Sequence, residues 1–126
     1  MRLEEQAQPG ALLVQGYGSG GFRLGGKRHE GSLMILPTGP LDWPVVSAEG
    51  ISLAQLEPVL ALADRIDILL VGCGLAMRPV DRTLAESLRQ SHGISVDFMD
   101  TGAACRTFNV LMMEGRQVAA ALIAIQ

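Results

Sequence analysis

The sequence predicts an α/β fold, in which helices cover a layered sheet, and three observations lead to that prediction. Residues 67–74 (DILLVGCG) form a short apolar run that ends in glycines, which is typical of a strand buried on both faces. From residue 50 onward, helical and strand patterns alternate with short connections, which indicates helices packed on a sheet. The earlier part combines short strands with many glycines, which predicts a β-meander joined to that sheet.

The composition is that of one globular domain, and the net charge argues against one class of partner. The chain has 126 residues, of which 48% are hydrophobic and 18% are charged, enough for the sizeable core of a single domain. We expect residues 1–10 to be a flexible lead-in and residues 11–126 to form one α/β domain. The net charge of −3 argues against a nucleic-acid partner, because phosphate binding requires a basic surface.

Cysteine usage and hydropathy predict the cellular setting. Cys73 and Cys105 cannot form the disulfide framework of a small secreted protein, and with His29 and His92 they show no zinc-site spacing. We therefore expect no metal and no cofactor. The N-terminus lacks a signal-peptide apolar core, and the longest apolar stretch, residues 118–125, is far short of the ~20 residues of a membrane helix. The prediction is a cytoplasmic protein without a membrane span, with peripheral membrane association left open.

The first half is interpreted as strands and turns. A strand is expected to begin at residues 11–14, and residues 16–21 match G-x-G-x-x-G. A dinucleotide site of that pattern requires a helix directly afterwards, whereas residues 22–26 have strand and turn chemistry. We therefore expect a β-meander, with a tight turn at Gly25 and Gly26. A further strand is predicted at residues 32–36, followed by a loop at 38–44 whose Trp43 plugs the core.

The second half is interpreted as three helix–strand units. The first helix is indicated by apolar spacing around residues 56–63. Ser52 and Gln55 fit a capping box, but Pro58 lies too deep in the helix for that start, and the alternative is a regular helix that begins near Glu57. The second has Pro79 at its first position, an apolar stripe and a glycine stop, at Val80, Leu84, Leu88 and Gly93. A strand over residues 94–99 ends at Asp100. Thr101 is the expected N-cap of the third helix, which buries Ala104, Phe108, Leu111 and Met112 and ends at Gly115. Residues 118–125 are expected to form a central strand.

A candidate pocket follows from this topology. Ligands of open α/β sheets bind beyond the carboxyl ends of parallel strands, where the loops at 72–78 and 100–106 would meet. The predicted ligand-binding residues are Gly72, Cys73, Gly74, Arg78, Asp100, Thr101, Cys105 and Arg106. With two helix N-termini nearby, these residues suit a small anion. The competing interpretation is structural, with Thr101 as a cap and an ion pair between Asp100 and Arg106.

The more specific hypothesis for an enzyme is that one of the two cysteines is a catalytic nucleophile. Cys73 or Cys105 would need a thiol pKa lowered by a helix dipole or an arginine, and a general base within reach. Neither His29 nor His92 is placed to be that base, so no catalytic residue is assigned. A mean hydropathy of +0.30 favours excess apolar surface and thus a binding protein over an enzyme.

Several segments resemble a family of small single-domain proteins of unknown function. They are Gly16-Tyr17-Gly18 with Phe22, Glu30-Gly31-Ser32, residues 67–74, and residues 99–116, of which residues 100–116 are the most specific. The family includes mitochondrial respiratory complex I assembly factor three and an adipogenesis-associated relative. The resemblance covers roughly residues 11–125 and implies a three-layer fold around a mixed five-stranded sheet, without an established catalytic mechanism. One departure is Gly72-Cys73-Gly74, where the family often has Gly-Thr-Gly.

The prediction is therefore a non-enzymatic binding or assembly protein. By the resemblance, it acts in respiratory complex I (NADH dehydrogenase) assembly through contacts with complex I subunits or assembly factors. A homo-oligomer is left open. The alternative is a small-anion or small-molecule binding domain, or a hydrolase-like enzyme, that uses the loops at 72–78 and 100–106.

Overall fold

The computed structural model describes residues 9–78 and 81–126, and its elements follow the predicted order. The elements are α1 (Pro9–Leu12), β1 (Val14–Gly18), β2 (Gly21–Leu24), β3 (Lys27–Glu30), β4 (Leu33–Leu36), β5 (Gly39–Asp42), α2 (Glu57–Leu60), β6 (Ile68–Gly72), α3 (Arg82–His92), β7 (Ser95–Met99), α4 (Thr101–Met113) and β8 (Val118–Leu122). Residues 1–8, most of the predicted lead-in, lie outside the described part. Within the described ranges, none of the helices has the length and apolar character needed to cross a bilayer.

The predicted β-meander is confirmed, with two corrections: it forms a sheet of its own and is not joined to the main sheet, and its first strand begins later than expected. β1, β2 and β3 form a three-stranded antiparallel sheet, and Gly25 and Gly26 make the β2–β3 turn with φ of 57° and 77°. The strand expected from residue 11 is wrong, because Pro9–Leu12 forms a single helical turn. Proline favours the first position of a helix, so the extended chain begins only at Val14.

The main sheet is mixed and five-stranded, with the order β5-β4-β8-β6-β7. β6 pairs in parallel with both β7 and β8, while β4 pairs antiparallel with β5 and β8. The apolar run at 67–74 therefore supplies an interior strand, and β8 is central, as predicted. Leu69 and Val71 are buried on one face of β6 and Leu70 on the other.

Two layers cover this sheet, which confirms the three-layer fold. One face packs against α3 and the segment at residues 43–66. The other packs against α4 and the meander, around Phe22 and Phe108, neither of which is exposed to solvent. Because both faces are covered, strands of this sheet can be apolar throughout.

The loop predicted at residues 38–44 is wrong in part. Gly39–Asp42 forms an edge strand, where Pro40 is tolerated because its missing N–H costs nothing on the outer side. Trp43 is the plug that the sequence predicts. Its side chain is 4% exposed, and its indole N–H donates a hydrogen bond of 2.8 Å to the carbonyl of Gln55.

The first helix after the meander is shorter and more broken than predicted. A 3-10 turn at Ala54–Leu56 leads into the one-turn helix α2, and a second 3-10 turn follows at Ala63–Arg65. No side chain caps the turn at Ala54–Leu56, so the capping box of Ser52 and Gln55 is wrong. The alternative start near Glu57 is confirmed: α2 begins at Glu57, because Pro58 suits only the first turn of a helix.

The start of α3 also differs from the prediction. Asp81 is the N-cap, and its Oδ1 accepts a hydrogen bond of 2.9 Å from the N–H of Thr83. The predicted first helical residue, Pro79, lies outside the described residues, as does Val80. The predicted burial of Leu84 and Leu88 is confirmed, as is the stop at Gly93, whose φ is 71°.

Candidate functional site

The carboxyl ends of β6 and β7 lie side by side. The N–H of Cys73 donates to the carbonyl of Met99 at 2.8 Å, and the N–H of Thr101 donates to the carbonyl of Gly74 at 2.8 Å. Since β6 and β7 are parallel neighbours, these bonds extend their pairing into the two loops. The loops that the sequence predicts to form a pocket are thus directly connected.

Thr101 joins three strand ends, and it does so from a fully buried position. Its hydroxyl accepts a hydrogen bond of 3.0 Å from the N–H of Gly74 and donates one of 2.7 Å to the carbonyl of Ile123. The predicted capping role is therefore wrong by one residue. The N-cap of α4 is Asp100, whose Oδ1 accepts from the N–H of Ala103 at 2.8 Å.

Glycines at the end of β6 allow this close approach. A Cβ atom on Gly72 would lie 2.9 Å from the Cα and 3.0 Å from the Oγ1 of Thr101. Gly74 has a φ of 103°, which L residues rarely adopt. The glycines of this loop therefore serve backbone packing between β6 and α4.

A cleft of about 400 Å³ opens beyond the ends of β6 and β8. Its lining consists of Val46, Ser47, Ala48, Glu49, Cys73, Gly74, Leu75, Ala76, Arg78, Ile123, Ala124, Ile125 and Gln126. Of the eight predicted site residues, Cys73, Gly74 and Arg78 line it. The sequence did not predict the lining at residues 46–49 and 123–126, because Ser47 and Glu49 belong to no recognisable motif and residues 123–125 are apolar.

The remaining predicted site residues lie apart from the cleft. Thr101 and Gly72 are buried in the β6–α4 joint, and Asp100 caps α4. Cys105 is buried in the core between the sheet and α4. Arg106 donates a hydrogen bond of 2.8 Å to the hydroxyl of Tyr17 in the meander. A ligand role for all eight residues together stays a prediction, and only Cys73, Gly74 and Arg78 of them border the cleft.

The ion pair predicted between Asp100 and Arg106 is wrong. Between these two described residues no salt bridge forms: Asp100 accepts from the backbone of α4, and Arg106 turns to Tyr17. The phenol of Tyr17 lies over Gly102, where a Cβ atom would come within 2.8 Å of its oxygen. Arg106 and Gly102 therefore fasten the meander to the first turns of α4.

A second fastening between the meander and α4 was not predicted. The Asn109 side chain accepts a hydrogen bond of 2.8 Å from the N–H of Val14 and donates one of 2.9 Å to its carbonyl. This amide thus pairs with the backbone as a neighbouring strand would. A single asparagine in a helical pattern carries no sequence signal for such a role.

Large apolar side chains are exposed in the cleft and beside it. Val46 is 85% exposed, Leu75 84% and Met77 59%. We call these three residues the cleft rim. Val46 and Leu75 line the cleft itself, and the exposed Arg78 directly follows Met77 in the sequence. Apolar exposure concentrated at one place is typical of an interaction surface.

The cysteines do not have the environment of a nucleophile. Burial raises the pKa of the Cys105 thiol from 9.0 to about 12, and the charge of Arg106 offsets this only in part. The lowered pKa expected of a reactive Cys105 is therefore wrong. Cys73 is 5% exposed, and its thiol points to the carbonyls of Val71 and Arg78 at 3.9 and 3.6 Å. His29 lies on β3 and His92 at the end of α3.

We predict that Cys105 resists alkylation in the folded protein. At pH 8 its thiol is almost wholly protonated, so iodoacetamide should modify it only after unfolding in urea. The unfolded thiol ionises near 9.0 and the folded one near 12, so its contribution to stability is complete below pH 9 and is lost as the pH rises toward 12. Mass spectrometry after alkylation with and without urea is the measurement. Rapid native modification of Cys105 would contradict it.

The described residues contain no group of three or more His, Cys, Asp or Glu side chains placed to hold a metal ion. Metal sites of proteins are built from such clusters. The polar side chains that line the cleft are those of Ser47, Glu49, Cys73, Arg78 and Gln126.

Comparison with known proteins places the fold in a family. A family model described as a protein of unknown function (DUF498/DUF598) matches residues 14–123. The NADH dehydrogenase [ubiquinone] 1 alpha subcomplex assembly factor 3 of Xenopus tropicalis is 38% identical over 89% of this chain, which spans 61% of that relative. An uncharacterised protein of Rhodobacter capsulatus is 35% identical over 98% of this chain and 93% of its own length.

A solved structure agrees over nearly the whole chain. The crystal structure of a Bartonella henselae protein, described as an outer membrane protein, superimposes with a TM-score of 0.86 at 37% identity. The match covers 94% of this chain and 98% of that one. The chain therefore belongs to the DUF498/DUF598 family of proteins of unknown function.

Proposed function

We propose that this chain is a non-enzymatic assembly protein that binds protein partners during the assembly of respiratory complex I (NADH dehydrogenase). The observation that carries the proposal is the likeness to relatives named as assembly factor 3 of the NADH dehydrogenase alpha subcomplex. The Xenopus tropicalis relative is 38% identical and the human one 36% identical, over 89% and 90% of this chain.

The site is consistent with binding rather than catalysis. Cys105 is buried with a raised pKa, whereas a nucleophile needs a reachable thiolate and a base. The cleft rim instead offers exposed apolar side chains, and the burial of apolar surface favours protein–protein association. We propose complex I subunits or other assembly factors as the partners.

Deletion of the gene in the source organism tests the proposal. We expect less assembled complex I on native gels of solubilised membranes, with partly assembled subcomplexes accumulating and the other respiratory complexes unchanged. Re-expression of the chain should restore the assembled complex. Normal amounts and activity of complex I in the deletion strain would overturn the proposal.

Affinity capture of a tagged chain identifies the partners. We expect the tagged chain in the cytoplasmic fraction, and after mild cross-linking we expect complex I subunits or assembly factors to be enriched over a tag-only control. Leu75→Ser is a suitable variant, because Leu75 is 84% exposed and its loss should leave the fold intact. If the cleft rim contributes to the contact, this variant should recover less partner.

A second candidate is a small-anion site in the cleft, which the exposed Arg78 beside an opening of about 400 Å³ favours. Titration of the 15N-labelled chain with phosphate or acetate should then shift the amide signals of residues 73–78, and Arg78→Ala should abolish the shifts. Unchanged signals would remove this candidate and leave the assembly proposal standing.

A further inference from the structure

The outer edge of β7 presents unpaired backbone groups. β7 ends the sheet beside β6, and within residues 9–78 and 81–126 no strand pairs with its other side. The N–H of Ser95 and the carbonyl of Met99 bond toward the β6 side, to Asp67 and Cys73. Backbone groups of alternate residues in a strand point to opposite sides. The N–H and carbonyl groups of Val96 and Phe98 therefore point outward, away from β6.

A groove runs between this edge and helix α3. It has a volume of about 300 Å³ and is lined by Ala85, Glu86, Arg89, Ser95 and Val96. Val96 is on the α3 face of the sheet, since its neighbour in register, Leu69, belongs to the core cluster on that face. An extended peptide segment lying along the outer edge of β7 would point every second side chain into this groove, over Ala85 and Val96.

Asp97 places a negative charge on the other face of β7, the face toward α4. Its register partner Leu70 lies in the core cluster on the α4 side, and the Asp97 side chain is exposed. A residue on an added strand, directly opposite Asp97, would lie close to this carboxylate. Opposite charges in such cross-strand pairs are favourable and like charges are unfavourable.

We propose that the outer edge of β7 binds an extended segment of a partner protein, which adds a sixth strand to the sheet. The segment places apolar side chains in the groove beside α3 and a lysine or arginine beside Asp97. Strand addition of this kind draws affinity from main-chain hydrogen bonds and specificity from alternate side chains. The inference rests on the proposed function in that the occupant is a protein partner.

Two other arrangements fit the edge less well. The opposite edge strand β5 contains Pro40, which has no N–H to donate. A second copy of the chain, paired antiparallel so that Val96 faces Phe98 of its partner, would set the two Asp97 carboxylates opposite each other. In that register the two carboxylates repel each other, whereas a lysine or arginine opposite Asp97 is attracted to it. We therefore take a segment of another protein that carries such a residue as the occupant.

Hydrogen exchange and peptide titration test the proposal. In the free protein, the amides of Val96 and Phe98 should exchange rapidly, while that of Ser95 should be protected. We would then titrate the 15N-labelled chain with two synthetic capped peptides, one alternating valine and lysine and one alternating valine and glutamate. We expect the lysine peptide to shift the signals of residues 94–99 and to slow exchange at Val96 and Phe98. The glutamate peptide should bind roughly tenfold more weakly.

Charge reversal provides the matched variants. Asp97→Lys should reverse the preference between the two peptides, whereas Asp42→Lys, an exposed carboxylate on the opposite edge strand, should leave it unchanged. Three outcomes would overturn the proposal. The first is that neither peptide shifts the signals of residues 94–99, and the second is that Asp97→Lys leaves the preference between the peptides unaltered. The third is that the free chain dimerises through β7.

The fate of the two proposals can be separated in cells. If Asp97→Lys restores complex I assembly in the deletion strain as well as the unaltered chain does, then the β7 edge is not the docking surface, although the assembly function stands. If complex I assembles normally without the chain, the assembly function fails, while the peptide binding measured in solution is unaffected.

Discussion

Replacing Thr101 by valine is expected to destabilise the protein by about 2–6 kcal/mol, since two buried polar groups lose their partner and each such loss costs about 1–3 kcal/mol. The substitution keeps the shape of the side chain but removes its hydroxyl. The N–H of Gly74 and the carbonyl of Ile123 would then lose their hydrogen bonds to it, of 3.0 and 2.7 Å. Both hydrogen bonds are buried, and Thr101 itself is 0% exposed. Urea unfolding followed by circular dichroism measures the loss.

Thr101→Ser is the matched control for this experiment. Serine retains the hydroxyl and both hydrogen bonds but lacks one buried methyl group, so we expect a loss of about 1 kcal/mol. Equal stabilities of the valine and serine variants would show that the hydroxyl does not hold the three strand ends together. If the valine variant is markedly less stable than the serine variant, the hydroxyl of Thr101 holds the three strand ends together.

Gly72→Val is expected to destabilise the protein by about 3 kcal/mol, the upper part of the range for overpacking a core. A Cβ at this position would lie 2.9 Å from the Cα of Thr101 and 3.1 Å from Leu122. The first contact is with backbone, so relief would require moving the start of α4 away from β6. We would measure the unfolding free energy of the variant and the chemical shifts of the residues around Thr101.

Gly16→Val provides the control for a glycine in a strand. Gly16 lies in β1, and a Cβ added there would meet nothing within 4 Å. The change should alter stability by less than about 0.5 kcal/mol. If Gly16→Val and Gly72→Val destabilise equally, the cost arises from strand glycines in general and not from the contact between β6 and α4.

Several elements follow from local sequence because one physical rule governs each. The apolar runs of β6 and β8 have no polar face, so they must be buried on both sides and lie inside the sheet. Gly25-Gly26 and Gly93 occupy positions with positive φ, which glycine adopts without strain. The stripe of Leu84 and Leu88 likewise indicates which face of α3 meets the core.

Predictions from the sequence are wrong in two situations. In one, two neighbouring residues can perform the same structural role; in the other, a residue far away in the sequence determines the local structure. Asp100 and Thr101 are both good N-caps, and Asp100 takes that position because the hydroxyl of Thr101 is used by Gly74 and Ile123. Residues 39–42 look like a loop because of Gly39 and Pro40. They become a strand because β4 offers them a free edge.

The family resemblance inferred from the sequence is confirmed by the family model, which matches residues 14–123. The candidate site was less predictable. Cys73, Gly74 and Arg78 border the cleft, but Cys105 and Arg106 on the facing helix serve the core and the contact with Tyr17. Residue type and loop position indicated these side chains, whereas their direction depends on how α4 turns against the meander.

The amino-acid sequence by itself determined the layered α/β class, the interior position of β6 and the family, because each depends on patterns within short stretches of chain. Only the tertiary structure decided that Thr101 joins three strand ends, that the segment at 46–49 walls the cleft, and that β7 ends the sheet. These features depend on hydrogen bonds and packing between residues far apart in the sequence, and such contacts exist only once the strands have taken their order.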